Sequence, residues 1–230
     1  MNPSHTPLDK ARFNMIEQQI RPWEVLDPQV LALLEEMKRE DFVPAAHKAL
    51  AFADMALPLN HPAVEGQCML PPRVEARLLQ DLAIQPTDKV LEIGAGSGYM
   101  AALLGRMAER VVTLEIDEAL AQMARSNLQK AGVVNVDVRM ADAAAGDFTA
   151  CAADAPWNVI LLSGSVAEVP SALLAMLAPG GRLAAIVGQE PVMRASIVTR
   201  TGDAAFSTSQ PWDTLAPRLR NMPEPARFKF

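Results

Sequence analysis

The apolar run Val90-Leu91-Glu92-Ile93 passes directly into Gly94-Ala95-Gly96-Ser97-Gly98-Tyr99. No other stretch limits the fold of this chain so tightly. Glycine lets the backbone turn sharply and lets another molecule approach it closely. Each glycine also loses backbone entropy on folding, and an ordinary strand-to-helix turn rarely needs three. The run therefore reads as a strand, a ligand-cradling loop and a helix N-terminus with free N–H groups.

The flanking sequence supplies the rest of a fold. A boundary falls at Gln85-Pro86-Thr87-Asp88. After it come five strand candidates: Val90–Ile93, Val111–Glu115, Val136–Met140, Val159–Leu162 and Leu183–Val187. The segments between them are long enough for helices. Asp117 is placed to cap one, with Leu120, Met123, Ala124 and Leu128 inward and Gly132 at its end. Pro170 to Leu177 suits another, stopped by Pro179-Gly180-Gly181. Ser196–Arg200 and Phe206–Gln210 flank a turn at Gly202-Asp203, a hairpin signal. Strands alternating with helices imply a parallel sheet covered on both faces. The expected class is α/β: a Rossmann-like, doubly wound, mostly parallel seven-stranded sheet with an antiparallel C-terminal edge.

Before the boundary the pattern is helical and broken by prolines. Phe13, Ile16 and Ile20 share helical spacing, and Pro22 closes the segment. Asp27-Pro28 opens a helix whose apolar face is Val30, Leu31, Leu34 and Met37. Leu57-Pro58-Leu59-Asn60-His61-Pro62 reads as a loop. Pro71-Pro72 opens a helix facing inward through Val74, Leu78, Leu79 and Leu82. The division is thus an N-terminal helical region, 1–85, and a domain carrying the glycine loop, 86–230, in one structural unit.

Half of the residues are hydrophobic and 21% are charged, enough for a core and too apolar for a disordered regulator. A net charge of −6 argues against broad phosphate gripping and against an anionic membrane surface. Cys68 and Cys151 form neither a disulfide framework nor a zinc set, which suits the cytoplasm. His5, His47 and His61 show no close pairing in sequence, so no metal site is expected. No apolar run reaches the roughly 18 residues of a membrane span.

Spacing then separates two ligand classes. A dinucleotide fingerprint needs a small residue at its sixth position, which here is Tyr99. A pyrophosphate also has no use for the Glu92 carboxylate, whereas a sulfonium ligand with an amino group does. Glu115, at the end of the second strand, is placed to accept from both hydroxyls of a ribose. Asp117 next to it suits a helix cap. Asp142, at the end of the third strand, can accept from an adenine amino group. Glu92, Glu115 and Asp142 thus end three successive strands, where ligands of open α/β sheets lie.

Glu92-Ile93-Gly94-Ala95-Gly96-Ser97-Gly98, then Glu115, Asp142 and Leu177-Ala178-Pro179-Gly180-Gly181-Arg182-Leu183, resemble the class I S-adenosylmethionine-dependent methyltransferases. Met15-Ile16-Glu17-Gln18-Gln19-Ile20-Arg21, Phe42-Val43-Pro44, Ala51-Phe52-Ala53-Asp54 and Leu57-Pro58-Leu59 resemble the protein-L-isoaspartate O-methyltransferase family. The resemblance implies methyl transfer from S-adenosyl-L-methionine to the free carboxylate of isoaspartyl residues in proteins or peptides. S-adenosyl-L-homocysteine would be the product, and the ester would collapse to a succinimide that can reopen to aspartate. It implies cofactor contacts at Glu92, Gly94, Ala95, Gly96, Ser97, Gly98, Glu115, Ile116, Asp142 and Ala143.

The chain departs from that family at one place. The family carries a Gln/Gly–Thr–Ile–Ser–x–Pro segment whose serine hydroxyl faces the substrate. Gln67-Cys68-Met69-Leu70 stands there, with Leu70 at the serine position, and leucine donates no hydrogen bond. No catalytic residue is assigned, and two alternatives follow: another acceptor, or a non-catalytic cofactor-binding module. A smaller departure is Ala141 and Ala143 beside Asp142, where the family usually has glycines. Ser163, after the fourth strand, can supply a compensating hydroxyl or be ordinary turn chemistry. Cys68 reads as a small buried hydrophobe, His61 as a surface residue, and Arg218, Arg220, Arg227 and Lys229 as a solvated basic tail.

Overall fold

The computed structural model describes residues 6–145 and 148–224. It opens with α1 (Pro7–Met15). The Thr6 side chain accepts the Asp9 amide, and the Asp9 carboxylate accepts the Thr6 amide, a reciprocal cap. A wide turn over Ile16–Ile20 and a tight one over Arg21–Trp23 follow. The inward stripe is Arg12, Met15, Ile16 and Ile20. Phe13, expected on that stripe, is 51% exposed. It follows Arg12 by one residue, roughly 100° around the helix, and the wide turn brings Ile20 back under Ile16 without it.

Asp27 caps α2 (Pro28–Glu36) by accepting the Gln29 and Val30 amides. Val30, Leu31, Leu34 and Met37 are buried as their spacing requires. The proline-rich stretch is not wholly loop. β1 (Leu57–Pro58) pairs antiparallel with β2 (Cys68–Met69). A two-residue ribbon tolerates Pro58 because its ladder needs few amides. α3 (Pro72–Leu82) then buries Val74, Leu78, Leu79 and Leu82.

The main sheet is built from β3 (Lys89–Ile93), β4 (Arg110–Glu115), β5 (Val136–Met140), β6 (Trp157–Val166), β7 (Leu177–Gln189), β8 (Val192–Arg200) and β9 (Phe206–Thr214). Their order is β5-β4-β3-β6-β7-β8-β9. The first five run parallel, and β8 and β9 add antiparallel pairs at one edge. β7 starts earlier than expected. Leu177 pairs with Trp157 and Arg182 with Val159, so Ala178-Pro179-Gly180-Gly181 bulges out of the strand instead of ending a helix. A Cβ on Gly181 would lie 2.8 Å from the Ala178 carbonyl oxygen, so the bulge needs glycine. The helix before it, α7 (Ser171–Ala175), is correspondingly short. The intervening helices are α4 (Tyr99–Met107), α5 (Glu118–Lys130) and α6 (Thr149–Ala152).

Alternate strand residues feed two cores. Val90, Val111, Val159 and Leu161 pack with α3, α4, α5 and the N-terminal helices. Leu91, Val112, Ile160 and Leu162 pack with Cys151 of α6 and Leu173 of α7 on the other face. Among the described residues no helix is long and apolar enough to cross a membrane.

One buried ion pair lies within the N-terminal region, against the helix that follows the glycine loop. Arg39, in a tight turn after α2, pairs with Glu75 of α3, their side chains 0% and 5% exposed. The guanidinium also donates to the Leu70 carbonyl at 2.8 Å and lies 5.1 Å from the Tyr99 ring centroid. Burial pushes the Glu75 carboxyl up to about 7, against the downward pull of Arg39. Arg39→Met would leave this carboxyl buried without its partner. Urea unfolding should show a loss of about 3–5 kcal/mol, most of it recovered in Arg39→Met/Glu75→Leu.

Candidate active site

The chain crosses from β3 to β4 and β5 on one side, then returns to place β6 on the other side of β3. A crevice opens where the strand order reverses, beyond the strand tips. Its empty space, open solvent at the mouth included, is about 660 Å³. Gly94, Gly96, Glu115, Ile116, Asp142 and Ala143 line it, together with Gln67 and Cys68.

The glycine loop is shaped by what surrounds it. Gly96 has φ +52°, and its amide donates to Glu115 at 2.9 Å. Gly98 has φ +82°, and a Cβ there would lie 3.1 Å from the Ala124 backbone of α5. The third glycine therefore serves the packing of two helices. Tyr99 is buried against Phe42, 5.3 Å between ring centroids, so the residue that spoils a dinucleotide fingerprint is a core residue.

The three acids sit in different surroundings. The second Glu115 oxygen accepts the Ile116 and Asp117 amides at 3.0 and 3.1 Å. Its two oxygens still have lone-pair capacity toward the crevice. Asp117 caps α5 through the Ala119 and Leu120 amides and accepts from Gln67 at 2.9 Å. Those hydrogen bonds, led by the Leu120 amide, hold its carboxyl below the usual range. Asp142 accepts the Ala144 amide at 2.9 Å and the Asn221 amide side chain at 2.7 Å.

Glu92 differs from both. It is fully buried, behind the crevice wall rather than on it. Thr113 donates to one oxygen and Ser163 to the other, each at 2.7 Å. Burial pushes its carboxyl up to about 8, against the pull of those two hydroxyls. Ala95, Ser97, Met69 and Leu70 line a smaller recess beside the crevice. Cys68, Gly94, Gly96 and Ser163 line both spaces. Gly98 lines neither.

The basic tail is not simply solvated. Pro217 accepts the Ser165 amide at 2.7 Å, and the Leu219 amide donates to the Ser165 carbonyl at 2.9 Å. Arg218 donates to the Gly188 carbonyl at 2.9 Å, and Arg220 lies 3.8 Å from Asp117. Leu219 packs where Gly94 and Gly164 lack side chains. Arg218, Leu219, Arg220 and Met222 wall the crevice. Arg227 and Lys229 lie outside the described residues. This wall has no periodic or motif signal in the sequence.

His47 and His61, far apart in sequence, approach to 6.3 Å between ring centroids. Among the described residues no three His, Cys, Asp or Glu side chains group as metal ligands. Both cysteines are free. Cys68 is half-buried, and burial pushes its thiol up to about 11, so it is no ready nucleophile.

A sequence profile of the family described as protein-L-isoaspartate(D-aspartate) O-methyltransferase matches residues 10–214. The chain is 41% identical over 193 residues to the protein-L-isoaspartate O-methyltransferase of Koribacter versatilis, covering 84% of this chain and 82% of that one. It is 38% identical over 179 residues to that of Herpetosiphon aurantiacus, covering 78% and 76%. In three dimensions it superposes with a TM-score of 0.76 on a Plasmodium falciparum protein described as a protein-L-isoaspartate O-methyltransferase in complex with S-adenosyl-L-homocysteine. That match covers 94% of this chain and 99% of that one at 16% identity, a likeness of fold. The family profile and the curated relatives agree with the resemblance read from Glu92-to-Gly98 and the N-terminal blocks, and this chain belongs to the protein-L-isoaspartate O-methyltransferase family.

Proposed function

We propose that this chain is an S-adenosylmethionine-dependent O-methyltransferase that esterifies the free carboxylate of isoaspartyl residues in damaged proteins. The observation that carries the reading is the row of strand tips. Asp142 on the β5 side, Glu115 on β4 and the glycine loop on β3 line one crevice, and the 67–70 loop lines the recess beside it. Residues 1–85 supply that loop and form the substrate side; residues 86–230 form the cofactor side. Two free thiols suit the cytoplasm.

The donor set fits the cofactor. Asp142 is placed to accept from the adenine amino group, with Ile116 and Ala143 as walls for the ring. Glu115 is placed to accept from the ribose hydroxyls, and Gly94 and Gly96 leave room for the chain beyond the sugar. S-adenosylmethionine supplies a methyl group activated by its sulfonium. The acceptor carboxylate is already ionised at neutral pH and needs no strong base. The work left to the protein is alignment and exclusion of water. Met69 and Leu70, each 4% exposed, present an apolar surface to the recess.

A second reading rests on Leu70. It lines the recess where the family's serine would place a hydroxyl, which favours an acceptor that needs no hydrogen bond there.

With radiolabelled S-adenosylmethionine, methyl should pass to an isoaspartyl peptide and not to its aspartyl twin. Turnover no greater than that of a Glu115→Ala control would refute the proposal. Glu115→Ala should weaken cofactor binding on the order of 10-fold or more in calorimetry, as expected for losing a charge-assisted hydrogen bond. Leu70→Ser should raise isoaspartyl turnover, with a ceiling on the order of 10²-fold; an unchanged rate would count against the second reading.

A further inference from the structure

We propose that Ser163 carries the charge of the buried Glu92 to the cofactor, accepting from the ammonium of its amino-acid end while donating its own proton to Glu92. The inference rests on S-adenosylmethionine being the cofactor and adds a binding residue for one end of it.

Three observations meet at this residue. First, the tips of β5, β4, β3 and β6 stand in that order, spanning about 14 Å at the usual strand spacing. With adenine at Asp142 and ribose at Glu115, the remaining part of the ligand continues past the glycine loop to β6. Ser163 is the β6 residue on the crevice wall. Second, Ser163 is half-buried and borders both the crevice and the recess, whereas Glu92 is fully buried. The carboxylate meets the ligand only through a neighbour. Third, Ser163 Oγ lies 2.7 Å from Glu92 Oε1. A serine hydroxyl has one proton and two acceptor lone pairs. With the proton given to Glu92, the lone pairs are left for an external donor, and the adjoining carboxylate makes the oxygen a better acceptor.

The same chain of bonds sets a protonation change. Burial holds the Glu92 carboxyl up to about 8, so at pH 7 it keeps its proton when no cation is near. A neighbouring cation favours the ionised form. On binding, the Glu92 proton passes to solvent, while the Ser163 hydroxyl keeps its donation to the carboxylate. The other charged groups facing Glu92 are Glu115 of β4 and Glu75 of α3, which is paired with Arg39. Both acids disfavour ionisation of Glu92, so proton loss there needs the ligand's positive charge.

Calorimetry of the full chain tests this with two probes, S-adenosylmethionine and 5′-methylthioadenosine, which lacks the amino-acid end. Ser163→Ala should weaken S-adenosylmethionine about tenfold or more, leave 5′-methylthioadenosine within about twofold, and be rescued by Ser163→Thr. Adding Glu92→Gln to Ser163→Ala should bring little further loss, because one path is cut twice. At pH 7, runs in buffers of different ionisation enthalpy should show close to one proton released by the wild type and none by Glu92→Gln. Unchanged S-adenosylmethionine affinity in Ser163→Ala overturns the inference. So does equal weakening of both probes, or a rise in acceptor KM with cofactor affinity intact. A wild-type chain that binds 5′-methylthioadenosine but not S-adenosylmethionine overturns the cofactor reading and this inference together.

Discussion

The Glu115 carboxylate clamps the glycine loop to the neighbouring strand. One oxygen takes the Gly96 amide from the tip of β3, and the other takes the amides of Ile116 and Asp117 at the tip of β4. A loop with three positive-φ glycines has many conformations open to it. Three hydrogen bonds to one carboxylate select one of them before any ligand arrives. Preorganisation of this kind reduces the ordering that binding would otherwise require. It also leaves Asp117 free to cap α5, so the two acids divide their tasks as their neighbours dictate.

The other constraint runs through the N-terminal region. Arg39 ties Glu75 of α3, the Leu70 carbonyl and the Tyr99 ring into one buried group. The same residue therefore fixes the loop that faces the acceptor and the helix that follows the glycine loop. Around it, the N-terminal helices pack into the same apolar cluster as α3, α4 and α5. The crevice and the loop beside it are thus held by one core rather than by two that can drift apart.

Much of this was legible in the sequence where one physical signal dominated. β-branched runs gave the parallel strands, since strands buried on both faces need continuous apolar residues. Asp27 and Asp117 marked helix starts because their side chains satisfy free amides. Each miss has its own physical cause. Phe13 was misplaced because a wide turn changes the angular step per residue, which a fixed period does not register. β7 was shortened because Pro179-Gly180-Gly181 carries the composition of a stop yet forms a bulge. The Ala216-to-Met222 wall and the nearness of His47 to His61 come from tertiary placement. Glu92 was read as a ligand-facing acid; its burial behind Ser163 depends on which way a side chain leaves a strand tip.

Gln67 of the acceptor-side loop is bonded to Asp117, two residues from the acid placed for the sugar. A sugar that draws Glu115 toward it would pull on the segment that anchors this loop. The two halves of the reaction would then be coupled energetically, and such coupling acts equally in both directions.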